Sequence, residues 1–146
     1  MPDHSVSAMQ DTMIANKSQR AFGYLIDCLP IFVLSFVSLI PFIGVIIAGL
    51  IGVAYWLLRD ISGASLGKLA MGIRVASKSG GPASVGARIA RNITIAIPSM
   101  VVAIPLIGYF AGPACGVVMI FLEIFMLLGA GERVGDKIAG TMVIKK

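Results

Sequence analysis

From Ala21 to Leu58 the chain carries one charged side chain, Asp27, and from Ile93 to Gly131 it carries one more, Glu123. Stretches that long and that apolar restrict a chain to helices held in a bilayer, because only there can an apolar exterior coexist with backbone groups that satisfy one another. The composition of all 146 residues agrees: 58% are hydrophobic and 13% charged, where a soluble domain has about a quarter charged. The expected fold class is an all-α membrane protein with four transmembrane helices and a small cap that holds a short strand pair.

Prolines and glycines divide the apolar stretches. Helix one is expected over about 20–39 with Pro30 as a kink, and Pro41 turns the chain into helix two at about 42–59. Helix three is expected over about 92–110, bent by Pro98 and Pro105. Helix four follows Ala111-Gly112-Pro113 and ends near Gly129. Gly44, Ala48 and Gly52 form a small-residue stripe suited to close helix packing, as do Gly112 and Gly116. Tyr55 and Trp56 suit an interfacial aromatic belt. Residues 1–17, with Asp3, His4 and Asp11, read as a surface tail, and 18–146 as one membrane domain. Asp27 interrupts the first apolar core and the run continues far beyond signal-peptide length, so helix one is expected to be retained.

The one long polar connection runs from 61 to 92. In it Ser65 is expected to cap a short helix over 66–71, Ile73-Arg74-Val75 has strand character, and Ser79-Gly80-Gly81-Pro82 is a turn. Ser84 is expected to cap an amphipathic helix leading into helix three. Thr141-Met142-Val143-Ile144 is the natural partner of the strand at 73–75.

Lysines and arginines are confined to the N-terminal part, the long connection and the C-terminal tail, and the two short turns have none. The positive-inside rule then puts both termini and the connection in the cytoplasm, for a multi-pass protein of the cell membrane. The net charge of +5 is scattered at the ends of apolar segments, which argues against nucleic acid as a partner. Lys68, Arg74, Lys78 and Arg88 are expected to touch anionic lipid headgroups. Cys28 and Cys115 lie in apolar segments and read as packing residues, and the lone His4 leaves no histidine-based metal or triad chemistry. No enzyme and no cofactor is expected. Gly67-Lys68 lacks the spacing of a phosphate loop.

Placing Asp at the centre of a membrane helix costs about 2.5–3.5 kcal/mol, so Asp27 needs compensation. Asp27 and Glu123 are each a few residues inward from the same end of antiparallel helices, at one level roughly 10 Å below the surface. Arg20, Arg91 and Asn92 are the cations and amide expected to reach them. Two readings stand for Asp27. In one it is paired with an arginine, Arg91 being the candidate, or is protonated, and locks helices one and three together. In the other Asp27 and Glu123 form a proton or cation site with their pKa values driven apart.

Four motifs in order, Arg20-Ala-Phe-Gly-Tyr-Leu-Ile-Asp27, Ser65-Leu66-Gly67-Lys68 leading to Gly72-Ile73-Arg74-Val75, Arg91-Asn92, and Gly135-Asp136-Lys137-Ile138-Ala139-Gly140-Thr141, resemble the RDD family of bacterial and archaeal membrane proteins. The resemblance covers about residues 17–146. It implies that Arg20 and Asp27 are the family arginine and first aspartate, with Asp136 as the second and Asp60 competing for that place. It also implies transport, of ligands not identified or of cations against protons. Glu123 stands outside the family pattern. A charged cluster of Arg20, Asp27, Arg91 and Asp136 is expected at the membrane boundary. The function expected is transport of ions or small solutes by a homo-oligomer with Asp27 titrating, the alternative being a non-transporting scaffold or accessory subunit that docks a larger membrane partner.

Overall fold

The structure is a computed structural model that describes residues 13–146. Residues 1–12 of the expected tail, His4 among them, lie outside the described residues. Residues 13–16 belong to the fold: Ile14 bridges to Ile144, and the Ala15 amide donates to the Val143 carbonyl at 3.0 Å.

Helix α1, Lys17–Ser35, starts at a capping box in which Asn16 and Gln19 satisfy each other's backbone amides. It continues as a 3₁₀ turn, Phe36–Leu39. Then come α2 (Ile43–Leu58), α3 (Leu66–Ala70), β1 (Ile73–Ser77), α4 (Val85–Ala90), α5 (Ile93–Val102), α6 (Ile107–Gly129), α7 (Val134–Ala139) and β2 (Thr141–Lys145). Two segments, Lys17–Leu39 and Ile107–Gly129, are long and apolar enough to cross a membrane, at 23 residues each. Helices α2 and α5 are apolar but shorter, 16 and 10 residues.

Helix three therefore ends earlier than the sequence suggests, at Val102, and α6 begins at Ile107 with Pro113 inside it. The turn forms at Pro105 because a repeated pentapeptide controls both turns at this end of the bundle. Ile40-Pro41-Phe42-Ile43-Gly44 and Ile104-Pro105-Leu106-Ile107-Gly108 share one conformation. Phe42 and Leu106 have φ of 60° and 65° with ψ of −64° and −59°. These are γ-turn angles, closed by Ile43 N–H to Pro41 C=O at 2.7 Å and Ile107 N–H to Pro105 C=O at 2.8 Å. Each pentapeptide ends in glycine because the following helix starts against the preceding turn. A Cβ on Gly44 would lie 2.2 Å from the Val37 carbonyl oxygen, and one on Gly108 2.2 Å from that of Val102. Tyr109 Oη ties the turns together by donating to the Ile40 carbonyl at 3.3 Å.

Helix α2 packs on α5 through small residues. A Cβ on Gly52 would lie 2.7 Å from Ser99 Oγ and one on Gly49 2.5 Å from the Ala103 nitrogen. Gly112 brings α6 against Val102 in the same way, whereas Gly116 has only Pro98 at 4.0 Å. Tyr24, Trp56, Ile95 and Ala96 form the core at the other end. Trp56 is thus not a belt residue, because it turns inward against Tyr24. The expected strand pair forms, β1 antiparallel to β2 with Val75 opposite Val143.

Outside this core the bundle is coated with apolar side chains, Phe110 and Phe125 being 84% and 76% exposed. A surface of that kind is stable against hydrocarbon and not against water.

Candidate functional site

At the end of the bundle opposite the γ-turns, the charged residues turn inward and bury one another. Asp27 projects from α1 toward α3, which crosses so closely that a Cβ on Gly67 would lie 1.8 Å from the Gly23 carbonyl oxygen. That approach lets Asp27 act as a clamp. Its Oδ1 accepts from the Gly67 amide at 2.8 Å, and its Oδ2 accepts from Ser65 Oγ at 2.5 Å and Arg59 Nη1 at 3.1 Å. Ser65 meanwhile caps α3, as expected. Tyr55 Oη donates to the Asp27 carbonyl at 2.9 Å, fixing α2 to α1 beside the pair.

Lys68, on the same short helix, donates to Asp60 Oδ1 at 2.6 Å and lies 4.0 Å from Asp27 Oδ2. Asp60 also accepts from Asn92 Nδ2 at 3.1 Å and faces Arg91 Nη1 at 3.9 Å. The chain of charges passes on to Asp136, which Arg91 Nη2 approaches to 2.5 Å and to which Arg20 Nη2 donates at 2.8 Å. Thr141 Oγ1 donates to it at 3.2 Å. A second close approach makes this possible, since a Cβ on Gly135 would lie 1.8 Å from the Arg91 carbonyl oxygen. The network is continuous from Arg59 through Asp27, Lys68, Asp60, Arg91 and Asp136 to Arg20. Glu123 has a separate partner. Arg133 Nε donates to it at 2.6 Å and Thr94 Oγ1 at 3.2 Å.

Electrostatics keep Asp60 and Asp136 charged. Burial works to raise the Asp60 pKa, but Lys68, Arg91 and Arg59 outweigh it and hold the carboxyl well below the usual range. Asp136 is likewise held low, by Arg91, Arg133 and Arg20 against burial. Burial, with Arg59 acting in the same direction, pushes the Lys68 ammonium down to about 7. Arg133 is raised because Glu123 and Asp136 outweigh its burial.

The residues singled out in the sequence, Arg20, Asp27, Asp60, Lys68, Arg91, Asn92 and Asp136, are all drawn into this network. Their pairing differs from the expectation. Asp27 takes Arg59, not Arg91, and Glu123 takes Arg133, so the two carboxylates form no mutual pair and each is neutralised by its own arginine. Lys68 is buried on Asp60 and is not free to touch lipid. Both competing aspartates, Asp60 and Asp136, belong to the network. Arg59 and Arg133 are the members that sequence reasoning missed. The signal for them was the level argument itself, because both end or follow a helix at the same end as Asp27. Their guanidinium groups lie 5.7 Å and 5.2 Å from the Tyr24 ring, and Arg59 lies 4.6 Å from Trp56.

Beyond those two rings lies a cavity of about 370 Å³. All four apolar helices line it, from Tyr24 and Trp56 at the charged end to Ser38 and Tyr109 by the γ-turns. From Tyr24 to Ser38 is 14 positions, about 21 Å of helix. Its wall is mostly apolar, and the side chains on it that carry a polar group are Tyr24, Cys28, Ser35, Ser38, Trp56, Ser99 and Tyr109.

An apolar helical bundle closed at one end by buried ion pairs and a two-stranded cap defines a small helical membrane protein. The RDD family model matches residues 14–140, and the chain belongs to that family. No curated protein and no solved structure matches it.

Proposed function

We propose that this protein is a transporter, or a transporter subunit, for small apolar or amphipathic solutes. The observation that carries this reading is the cavity of about 370 Å³ among the four apolar helices, of a size that suits a small ligand. The network supplies a rigid plug at its inner end, and the adjacent, tilted Tyr24 and Trp56 rings form the gate between the two. Asp27 acts in this reading as the lock that holds α1, α2 and α3 together, since both its oxygens are already occupied. The apolar wall favours a solute that needs few hydrogen bonds over a hydrated ion. With the charged end in the cytoplasm, as the distribution of lysine and arginine implies, the cavity faces the bilayer and the outer surface.

The test is flux of small apolar fluorescent probes in proteoliposomes, comparing wild type with Gly116→Leu. Gly116 lines the cavity and has open space around it, so leucine fills the cavity without displacing backbone. Wild-type flux reduced several-fold by the substitution supports transport. Flux equal to that of protein-free vesicles removes it and leaves the accessory-subunit alternative. Asp27→Asn measured across pH separates the roles of that residue: a shifted pH profile assigns it titration, and a uniform loss assigns it the lock.

A further inference from the structure

Within the ion-pair network lies a second, far smaller space of about 10 Å³, enclosed by Arg20, Tyr24, Asp27, Arg59, Lys68, Arg91 and Arg133 together with Ile73 and Val143. The centre of a water-sized sphere can range over about 10 Å³ of it, room for a single water or for one slightly larger monatomic ion. The arginines that line it carry unused donors. Among the described residues, Arg20 Nε, Arg59 Nε and Nη2, Arg91 Nε and Arg133 Nη2 are buried with no hydrogen-bond partner. The side chains that carry them are 7%, 1%, 0% and 6% exposed.

The charges are unequal as well. Five buried cations, Arg20, Arg59, Lys68, Arg91 and Arg133, face four buried acids, Asp27, Asp60, Glu123 and Asp136, among the described residues. An unbalanced charge away from water is costly, and orphaned guanidinium N–H groups add to that cost. One monovalent acceptor at the centre answers both. We propose that this space is a binding site for a single halide-sized monovalent anion, held by the free N–H groups of Arg59, Arg91 and Arg133. Among the described residues Asp27 is the only carboxylate on its wall, and its oxygens already accept from Arg59, Ser65 and Gly67, which screens an anion from it. Tyr24 stands between this site and the apolar cavity, and anion binding there does not depend on solute transport.

One of the five cations is conditional, since burial brings Lys68 to about 7. It faces Asp60 and Arg59 from the end of α2, Asp27 from α1 and Arg91 from the end of α4, with Arg20, Arg133 and Asp136 beyond. Loss of its proton removes the excess charge. Anion binding is therefore expected to weaken as pH rises through that value.

The experiment uses the full chain in neutral detergent, with sodium gluconate exchanged stepwise for sodium bromide at constant ionic strength and the melting temperature read from Trp56 fluorescence. A rise that saturates with bromide, that sulfate does not reproduce, and whose midpoint falls several-fold between about pH 8 and about pH 6 supports the site. Equal melting in gluconate, sulfate and bromide overturns it, leaving a water in the space. Two variants sharpen the reading. Lys68→Met, which balances the charges, is expected to abolish the bromide effect, and Asp27→Asn, which widens the imbalance, to lower its midpoint; a response unchanged in either overturns the assignment. If neither variant folds, the wild-type comparison decides alone.

Discussion

Asp136 accepts from Arg20 and Thr141 and pairs with Arg91, at a position 1% exposed, so its removal strands two guanidinium groups out of reach of water. Taking one partner from a buried pair costs about 3–5 kcal/mol, and Asp136→Ala is expected at that level in chemical unfolding from detergent. Glu123→Gln is expected to cost less, since an amide can still accept from Arg133. Asp60 and Asp136 both have folded pKa values below their ordinary 3.8. The unfolded chain thus binds more protons on acidification, and stability from these groups is present above about pH 4 and lost below it. The melting temperature should fall between about pH 5 and about pH 3, less steeply in Asp60→Asn. Much of this set was legible in the sequence, because an acid in an apolar helix must be compensated and the depth of each residue follows from helix rise. Which cation meets which acid was not. That depends on lateral position around the bundle, and it gave Asp27 to Arg59 and Glu123 to Arg133.

At the scale of elements, the fold rests on two places where backbone meets backbone. Gly67 on Gly23 and Gly135 on Arg91 leave no room for a methyl group, so Gly67→Ala and Gly135→Ala must push α3 off α1 or α7 off the start of α5. Each is expected to destabilise by at least about 1–3 kcal/mol, the range for overpacking, with loss of the Asp27 or Asp136 contacts that the approach permits. Gly86, in α4 with nothing within 4 Å, is the control, and Gly86→Ala should stabilise by about 0.5–1 kcal/mol. Parallel unfolding curves of the three variants check the difference in sign. The γ-turns carry strain of a different kind, since Phe42 and Leu106 sit at positive φ, where a side chain costs about 1–3 kcal/mol. Leu106→Gly is expected to offset its lost apolar contact by relieving that strain, and Leu106→Val to be clearly worse than either. The short helix, the strand pair and helix one were readable from caps, alternation and apolar length. The end of α5 was not. Two prolines, Pro98 and Pro105, looked equivalent, and only the repeated Ile-Pro-x-Ile-Gly pattern distinguishes the one that makes a turn from the one that a helix absorbs.

For the molecule as a whole, one end is polar and closed and the other end is apolar and hollow. Small residues bring α2, α5 and α6 together, and α1 completes the wall of the cavity that all four helices line. Trp56, the single tryptophan of the chain, lies on its wall at the closed end and reports its contents directly. The decisive measurement is quenching of Trp56 fluorescence by a small brominated hydrocarbon added to the protein in bilayers of fixed composition. Saturable quenching in wild type that is lost in Gly116→Leu is the result expected if the cavity admits solute as far as the Tyr24 and Trp56 gate. Quenching that rises linearly with the amount of brominated hydrocarbon in the lipid and is the same in both proteins would show that nothing enters between the helices, and would contradict the account.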